Sequence, residues 1–287
     1  MTGLELYSKA TQKTSTIFIE EYSTSFGLAT RLLKSKNRQH IQNIYALVRL
    51  ADEIVDGVGA EAGLPSSEIE SRLTELETET YRAVDSGFSV NPVVHSFAIT
   101  AREADIRNEI IEPFFKSMRM DISKKKFNKN DFDEYVYGSA EVVGLMCLTV
   151  FISGIPQTEK ERQTLVRGAR ALGSAFQKVN FLRDLRADEI GLGRTYFPGI
   201  ALNKLSDVEK NKLCDDIDSD LEIAAKTIPM LPSDSARAVT LAYSLFQGLN
   251  NRIRNQPIQK IKENRIRVPN FEKILILFRV LVGINHD

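Results

Sequence analysis

Two lines of oxygen-bearing side chains are the chemically suggestive feature of this 287-residue sequence. In HIQNIYALVRLADEIVDG, residues 40–57, Tyr45, Arg49, Asp52 and Asp56 follow at steps of four, three and four, the spacing that stacks side chains on one helix face. In GSAFQKVNFLRDLRADEIG, residues 173–191, Gln177, Asn180, Asp184 and Asp188 step by three, four and four. Chance alone supplies roughly five acid pairs at i,i+4 in such a chain, and most of them sit on solvated faces. These two differ in their company. Ile44, Leu47, Val48, Ala51 and Ile54 surround the first, and Leu172, Phe176, Val179 and Leu182 the second. Carboxylates lined up on otherwise apolar helices are costly to bury unless a cation sits among them. Asp52, Asp56, Asn180, Asp184 and Asp188 offer hard oxygen ligands without His or Cys, a set that selects Mg2+ or Mn2+ over zinc. Mg2+ held by few carboxylates completes its shell with water and substrate phosphate oxygens, so a phosphate or diphosphate substrate is expected. Arg49, Arg183 and Arg194 stand beside the acids, each available to such a substrate or to an ordinary salt bridge.

Helices must carry these stripes, and the rest of the chain reads the same way. Apolar residues recur at three- and four-residue spacing, strict alternation is missing, and the breaks at residues 62–67, 85–92, 124–131, 153–158, 191–199, 228–235 and 255–257 separate helix-sized pieces. Thr158 with Glu161, and Ser206 with Glu209, have the spacing of capping boxes. No break is long or Gly/Ser-rich enough to be a linker, so the expectation is an all-α, single-domain helical bundle over residues 1–287. Its two polar stripes would face each other across a central cavity.

Composition narrows the function. The 38 Lys plus Arg balance 38 Asp plus Glu, which argues against a nucleic-acid partner. Cys147 and Cys214 stand apart from each other and from any His, so neither a disulfide nor a zinc site is signalled, and a reducing, cytoplasmic setting is expected. GLGRTY, residues 191–196, lacks the Gly-Lys-Ser/Thr ending of a nucleotide loop. His40, His95 and His286 are isolated, which leaves no nucleophile–base arrangement for acyl transfer. No basic-then-apolar signal opens the chain, and no apolar run approaches the roughly 20 residues of a membrane span.

The sequence resembles the squalene and phytoene synthases, nearly end to end. The matches are Ser23, Ser25 and Phe26 of a Ser-x-Ser-Phe; YALVRLADEIVD, residues 45–56; YGSAEVVGLM, residues 137–146; QKVNFLRDLRAD, residues 177–188; and GRTYFP, residues 193–198, in family order. The wording leans towards the bacterial phytoene synthases. The resemblance implies an isoprenoid synthase fold and a Mg2+-dependent prenyltransferase that joins two geranylgeranyl diphosphates head to head through a cyclopropyl diphosphate. By position it implies that Asp52 and Asp56 hold metal against one diphosphate, with Asn180, Asp184 and Asp188 doing so from the facing helix. Arg49, Arg183 and Arg194 would contact phosphate, with Ser23 and Ser25 on a flap over the pocket mouth. Tyr45, Tyr137 and Gln177 would line the reacting centre. Two alternatives stay open: the same chemistry on farnesyl diphosphate, and a non-catalytic helical scaffold, against which the retained acids argue.

Three positions depart from the family pattern: Glu53 in place of a second Asp, Glu141 in place of a Gly, and Leu245 where a pocket Tyr is expected, with Tyr243 close by. At the C-terminal end, Lys260, Lys262, Arg265 and Arg267 precede the apolar residues 274–284. This segment reads either as a peripheral membrane contact, a helix resting on an anionic leaflet, or as a terminal helix packed on the body.

Overall fold

The computed structural model describes residues 1–191, 193–200 and 205–282, without the side chain of Glu189; Ile284 and His286 lie outside the described residues. Helices make up nearly all of it, as the periodicity predicts. The only extended pairing among the described residues is an isolated bridge between Lys126 and Thr195. The contacts gather in two compact units, Met1–Ser123 with Leu145–Pro156 and Lys124–Gly144 with Gln157–Asp287.

The first unit contains α1 (Gly3–Tyr22), α2 (Thr24–Thr30), α3 (Ser35–Val55), α4 (Val58–Glu61), α5 (Ser66–Ser86), α6 (Pro92–Ala104) and α7 (Asn108–Ser123). α3 packs on α1, α5, α6 and α7, so the first stripe rides on the helix with the most neighbours to fix it. α6 is buried around almost its whole circumference, through Val93, Val94, Phe97, Ala98 and Ala101. Its buried Thr100 hydroxyl accepts from Asn43 Nδ2 at 3.0 Å and meets His40 Nδ1 at 2.9 Å, which pins α3 to α6. Burial holds the His40 imidazole below its ordinary pKa, against the raising field of Glu103.

The second unit contains α8 (Lys129–Val136), a π-helical turn (Tyr137–Glu141), α10 (Glu159–Arg186), a second π-helical turn (Ala187–Gly191), α11 (Asp207–Ala225), α12 (Ser233–Asn255), α13 (Ile258–Glu263) and α14 (Asn270–Val282). α9 (Val142–Ile152) begins in this unit and ends in the first. Both predicted capping boxes form, at Thr158 and at Ser206, each acid returning a bond to the cap N–H at 2.8 Å. α10 is pinned to α11 by Lys178, whose Nζ lies 2.6 Å from Asp216 and 2.8 Å from Asp220. Gly173 and Gly144 allow a close crossing: a Cβ on Gly173 would fall 2.4 Å from the Ala140 carbonyl oxygen, and one on Gly144 2.5 Å from that of Ala169.

One sequence expectation needs correction. α8, the first π turn and α9 join into an unbroken helical run, Lys129–Ile152, which by length and composition is apolar enough to cross a membrane. Half of its apolar 18-residue window is buried within the protein. Its polar start, KNDFDEY, hides the run from a search for continuous apolar sequence.

Candidate active site

In the first unit the stripe ends where its helix ends. α3 stops at Val55, Asp56 is its C-cap with the backbone N–H still on the Asp52 carbonyl at 2.7 Å, and Gly57 leaves the helix at φ 125°. Both carboxylates therefore stand at the negative end of the helix dipole, where a cation is favoured and an anion is not. Burial, then the neighbouring Asp56, hold the Asp52 carboxyl well above the usual carboxylate range; Asp121 and Glu53 add to this and Arg49 opposes it.

Arg49 has a partner the sequence reading did not assign. Its guanidinium binds Glu53 on the same helix and lies 4.5 Å over the Tyr22 ring. Glu53, the departure from the second Asp, thus serves as the counter-ion of Arg49. The buried Nε of Arg49 has no hydrogen-bond acceptor, a donor left over for an anion. Ser23 caps α2 by accepting from Phe26 N–H at 3.1 Å, and its side chain works against the rise of the Tyr45 phenol. The Phe26 ring lies 6.4 Å from that of Tyr45, so α2 rests its aromatic on the stripe; Ser25 is half-buried in the first turn of α2. Burial pushes the Tyr45 phenol up to about 12.

In the second unit, Gln177, Asn180, Arg183 and Asp184 lie on α10, all partly buried. Arg183 closes on its neighbour Asp184 with Nη2 2.5 Å from Oδ2. A second arginine, Arg265, reaches the same carboxylate, with Nε 2.7 Å from Oδ1. Burial, then the nearby Arg183 charge, hold the Arg265 pKa below its ordinary value, with Arg267 adding to this and Asp184 opposing it. Lys273 on α14 is lowered likewise, by burial and by the charges of Arg267 and Arg183. Two arginines, Arg183 and Arg265, thus converge on one carboxylate, with Arg267 and Lys273 within their electrostatic reach. Arg265 was missed at Asp184 because it lies 81 positions downstream; the basic run NRIRVPN is its only sequence signal.

Asp188 falls on the second π turn, whose wider pitch takes it off the regular i,i+4 register that the sequence spacing implies. Its carbonyl accepts from Arg194 N–H at 2.8 Å, folding the following loop back. The Arg194 side chain is only 6% exposed, with Nη1 3.3 Å from the Tyr196 hydroxyl. Tyr196 in turn stacks on Phe181 of α10, so GRTYFP anchors the loop as well as carrying a charge.

Tyr137 opens the first π turn, with the Arg170 guanidinium 5.1 Å over its ring. Arg170 also binds Glu141 at 2.6 Å, on the rim of a cleft of about 500 Å³ that Arg162 and Arg167 help to line. Glu141, the second departure, is thereby tied to α10. On α12, Leu245 is buried and Tyr243 accepts from Gln247 Nε2 at 3.1 Å. The fields of Asp218 and Glu222, after burial, raise the Tyr243 phenol, which places it towards α11. The aromatic that meets α10 is Phe246, stacked on Phe176 at 3.8 Å.

The residues fit a divalent cation by their chemistry. The Asn180 Oδ1 is buried without a hydrogen-bond donor, one position away from Asp184 along the stripe. No group of three or more His, Cys, Asp or Glu able to hold a metal forms among the described residues. Carboxylates in ones and twos, completed by water and phosphate, are the usual Mg2+ environment.

Fold and side chains together define an all-helical protein whose candidate site is carboxylate, amide and arginine. The sequence profile of the squalene/phytoene synthase family matches residues 19–272, and the chain belongs to that family, a family of prenyltransferases. It is 35% identical over 188 residues to phytoene synthase 3, chloroplastic, of Zea mays, which covers 62% of this chain and 40% of that protein. It is 34% identical over 189 residues to the chloroplastic phytoene synthase of an Oncidium hybrid cultivar, covering 62% and 42%. The chain thus spans about two fifths of the length of the curated relatives it matches. Among solved structures, a dehydrosqualene synthase in complex with ligand superposes with a TM-score of 0.79 over 96% of this chain and 97% of that one, at 22% identity. The squalene synthase HpnC of Alicyclobacillus acidocaldarius gives 0.73 over 91% and 97%, at 17% identity. At these identities the likeness shows the fold.

Proposed function

We propose that the chain is a phytoene synthase, condensing two geranylgeranyl diphosphates head to head through a cyclopropyl diphosphate in carotenoid biosynthesis. The observation that carries the reading is Asp184, where Arg183 and Arg265 share one carboxylate on the stripe that also bears the unpartnered Asn180 Oδ1. Crowded cations around an acid suit a ligand that is itself polyanionic and bridged by a metal. The family, and the phytoene synthases among its curated relatives, support the substrate class.

In this reading Asp52 and Asp56 in the first unit, and Asn180, Asp184 and Asp188 in the second, would hold Mg2+ or Mn2+, which when bound would neutralise charge on departing diphosphate. Arg49, through its unclaimed Nε–H and beside Ser23 and Ser25 of α2, would donate to phosphate oxygens in the first unit, and Arg265 would do so in the second. Arg194 fixes the loop behind Asp188. Breaking the allylic C–O bond leaves both electrons on diphosphate and a cation on the prenyl chain. Tyr45 and Phe26 in the first unit, and Tyr137 and Gln177 in the second, are the π clouds and neutral dipoles this reading offers to that cation. A phenol pushed up to about 12, as at Tyr45, stays protonated and does not capture it. The cation adds to the double bond nearest the diphosphate of the second substrate, and loss of a proton there closes the cyclopropane; ionisation of that cyclopropyl diphosphate, rearrangement and loss of a second proton complete the product.

Incubating the purified chain with Mg2+ and either geranylgeranyl or farnesyl diphosphate, then extracting hydrocarbon, tests the reading. Phytoene from the longer substrate is expected. Hydrocarbon from farnesyl diphosphate alone would contradict the chain length, and diphosphate release with no joined product from either would contradict the condensation.

A further inference from the structure

We propose that the outward face of α14 docks in the interface of an anionic lipid bilayer. The helix carries two apolar faces. Val280 is buried, Leu277 and Ile276 are half-buried with Ile276 near Gly248 of α12, and Glu272 is tied to Arg252 at 3.0 Å, so one side is packed on the body. Phe271, Ile274, Leu275, Phe278, Leu281 and Val282 recur at three- and four-residue steps on the other side and are 50–64% exposed. Six large apolar side chains in one stripe exceed the scattered exposure of an ordinary surface and mark an interaction face.

The charge around the stripe selects the occupant. Between residues 264 and 282 the bases are Arg265, Arg267, Lys273 and Arg279, and the sole acid is Glu272, already bound to Arg252. Arg267 and Arg279 are exposed, as is Lys260 on α13. A two-fold contact with a second copy would bring this basic rim onto itself, whereas anionic headgroups complement it. Thirteen helical residues are about 20 Å long, short of the roughly 30 Å hydrocarbon core, so the helix lies in the plane of the surface. Both sequence readings of the tail therefore describe one helix, packed on one side and open on the other. The proposal stands on this surface alone, whatever the length of the substrate.

The test is co-sedimentation of the full chain with vesicles of phosphatidylcholine alone or mixed with phosphatidylglycerol, with thermal melts to show that each variant is folded. The parent should sediment with the anionic vesicles and come off in high salt. A variant combining Phe271→Ser, Ile274→Ser and Phe278→Ser should lose binding. A second, surface-only variant combining Lys260→Gln and Arg279→Gln should bind on the order of tenfold more weakly. Parent-like binding by either folded variant, or no binding by the parent, would overturn the proposal. So would a parent dimer that the apolar variant converts to monomer with no vesicle binding in either, since the face would then join two copies of the chain.

Discussion

Arg265 and Asp184, 81 positions apart in the chain, are joined by two bonds, Nε to Oδ1 at 2.7 Å and Nη2 to Oδ2 at 3.2 Å. In the proposed reaction an arginine so placed would hold the carboxylate until a cation takes over, and would then be free to meet phosphate. Replacing it by alanine should remove about 2 kcal/mol of transition-state stabilisation, roughly thirtyfold in kcat/KM, while the carboxylate, left with Arg183 alone, binds Mg2+ more tightly. Steady-state kinetics beside a Mg2+ titration check both. A lowered melting temperature with unchanged kcat/KM would make the pair merely structural.

Asp52 sets a pH dependence in metal-free protein. Burial, then Asp56, raise its folded pKa above the ordinary carboxylate value of the unfolded chain. Below both values the two states are equally protonated. As pH rises through the ordinary carboxylate range towards the folded value, the unfolded chain releases its proton first, and stability falls. Asp52→Asn should abolish that fall and melt higher than the parent near neutral pH. Mg2+ should raise the parent melting temperature more than that of the variant. Equal melting curves across pH would show that Asp52 is not under strain.

Arg170 links Glu141 to the Tyr137 ring. Arg170→Gln should reduce kcat/KM about threefold by releasing the ring, and Glu141→Gln should do the same. Stability should change by less than about 1 kcal/mol, since Arg170 is half-exposed. Unchanged kinetics in both variants would free Tyr137 from this pair.

The crossing of α10 over the Tyr137–Glu141 turn predicts that Gly173→Ala costs about 1–3 kcal/mol, because the added methyl meets a backbone carbonyl rather than a yielding side chain. The midpoint of urea unfolding measures this, and a parent-like midpoint would contradict so close a crossing.

The helices were legible in the sequence because the apolar spacing that makes α3 and α10 amphipathic is local, as are the capping boxes at Thr158 and Ser206. The stripes themselves were legible for the same reason: Tyr45 to Asp56 and Gln177 to Asp184 are within a few turns of each other. Three things were not. The π turn at Ala187–Gly191 shifts Asp188 by geometry that residue spacing does not carry. The partnership of Arg265 with Asp184 depends on how α13 and the chain after it return to α10, a long-range matter. Phe246, not a tyrosine, meets α10 because α12 turns Tyr243 towards the acids of α11.

The most direct measurement is diphosphate release from geranylgeranyl diphosphate with saturating Mg2+, comparing the parent with Asp52→Asn and Asp184→Asn. If both carboxylates hold the metal that stabilises the leaving group, each variant should lose about a thousandfold in rate or more while remaining folded. Folded variants that release diphosphate at the parental rate would contradict the account.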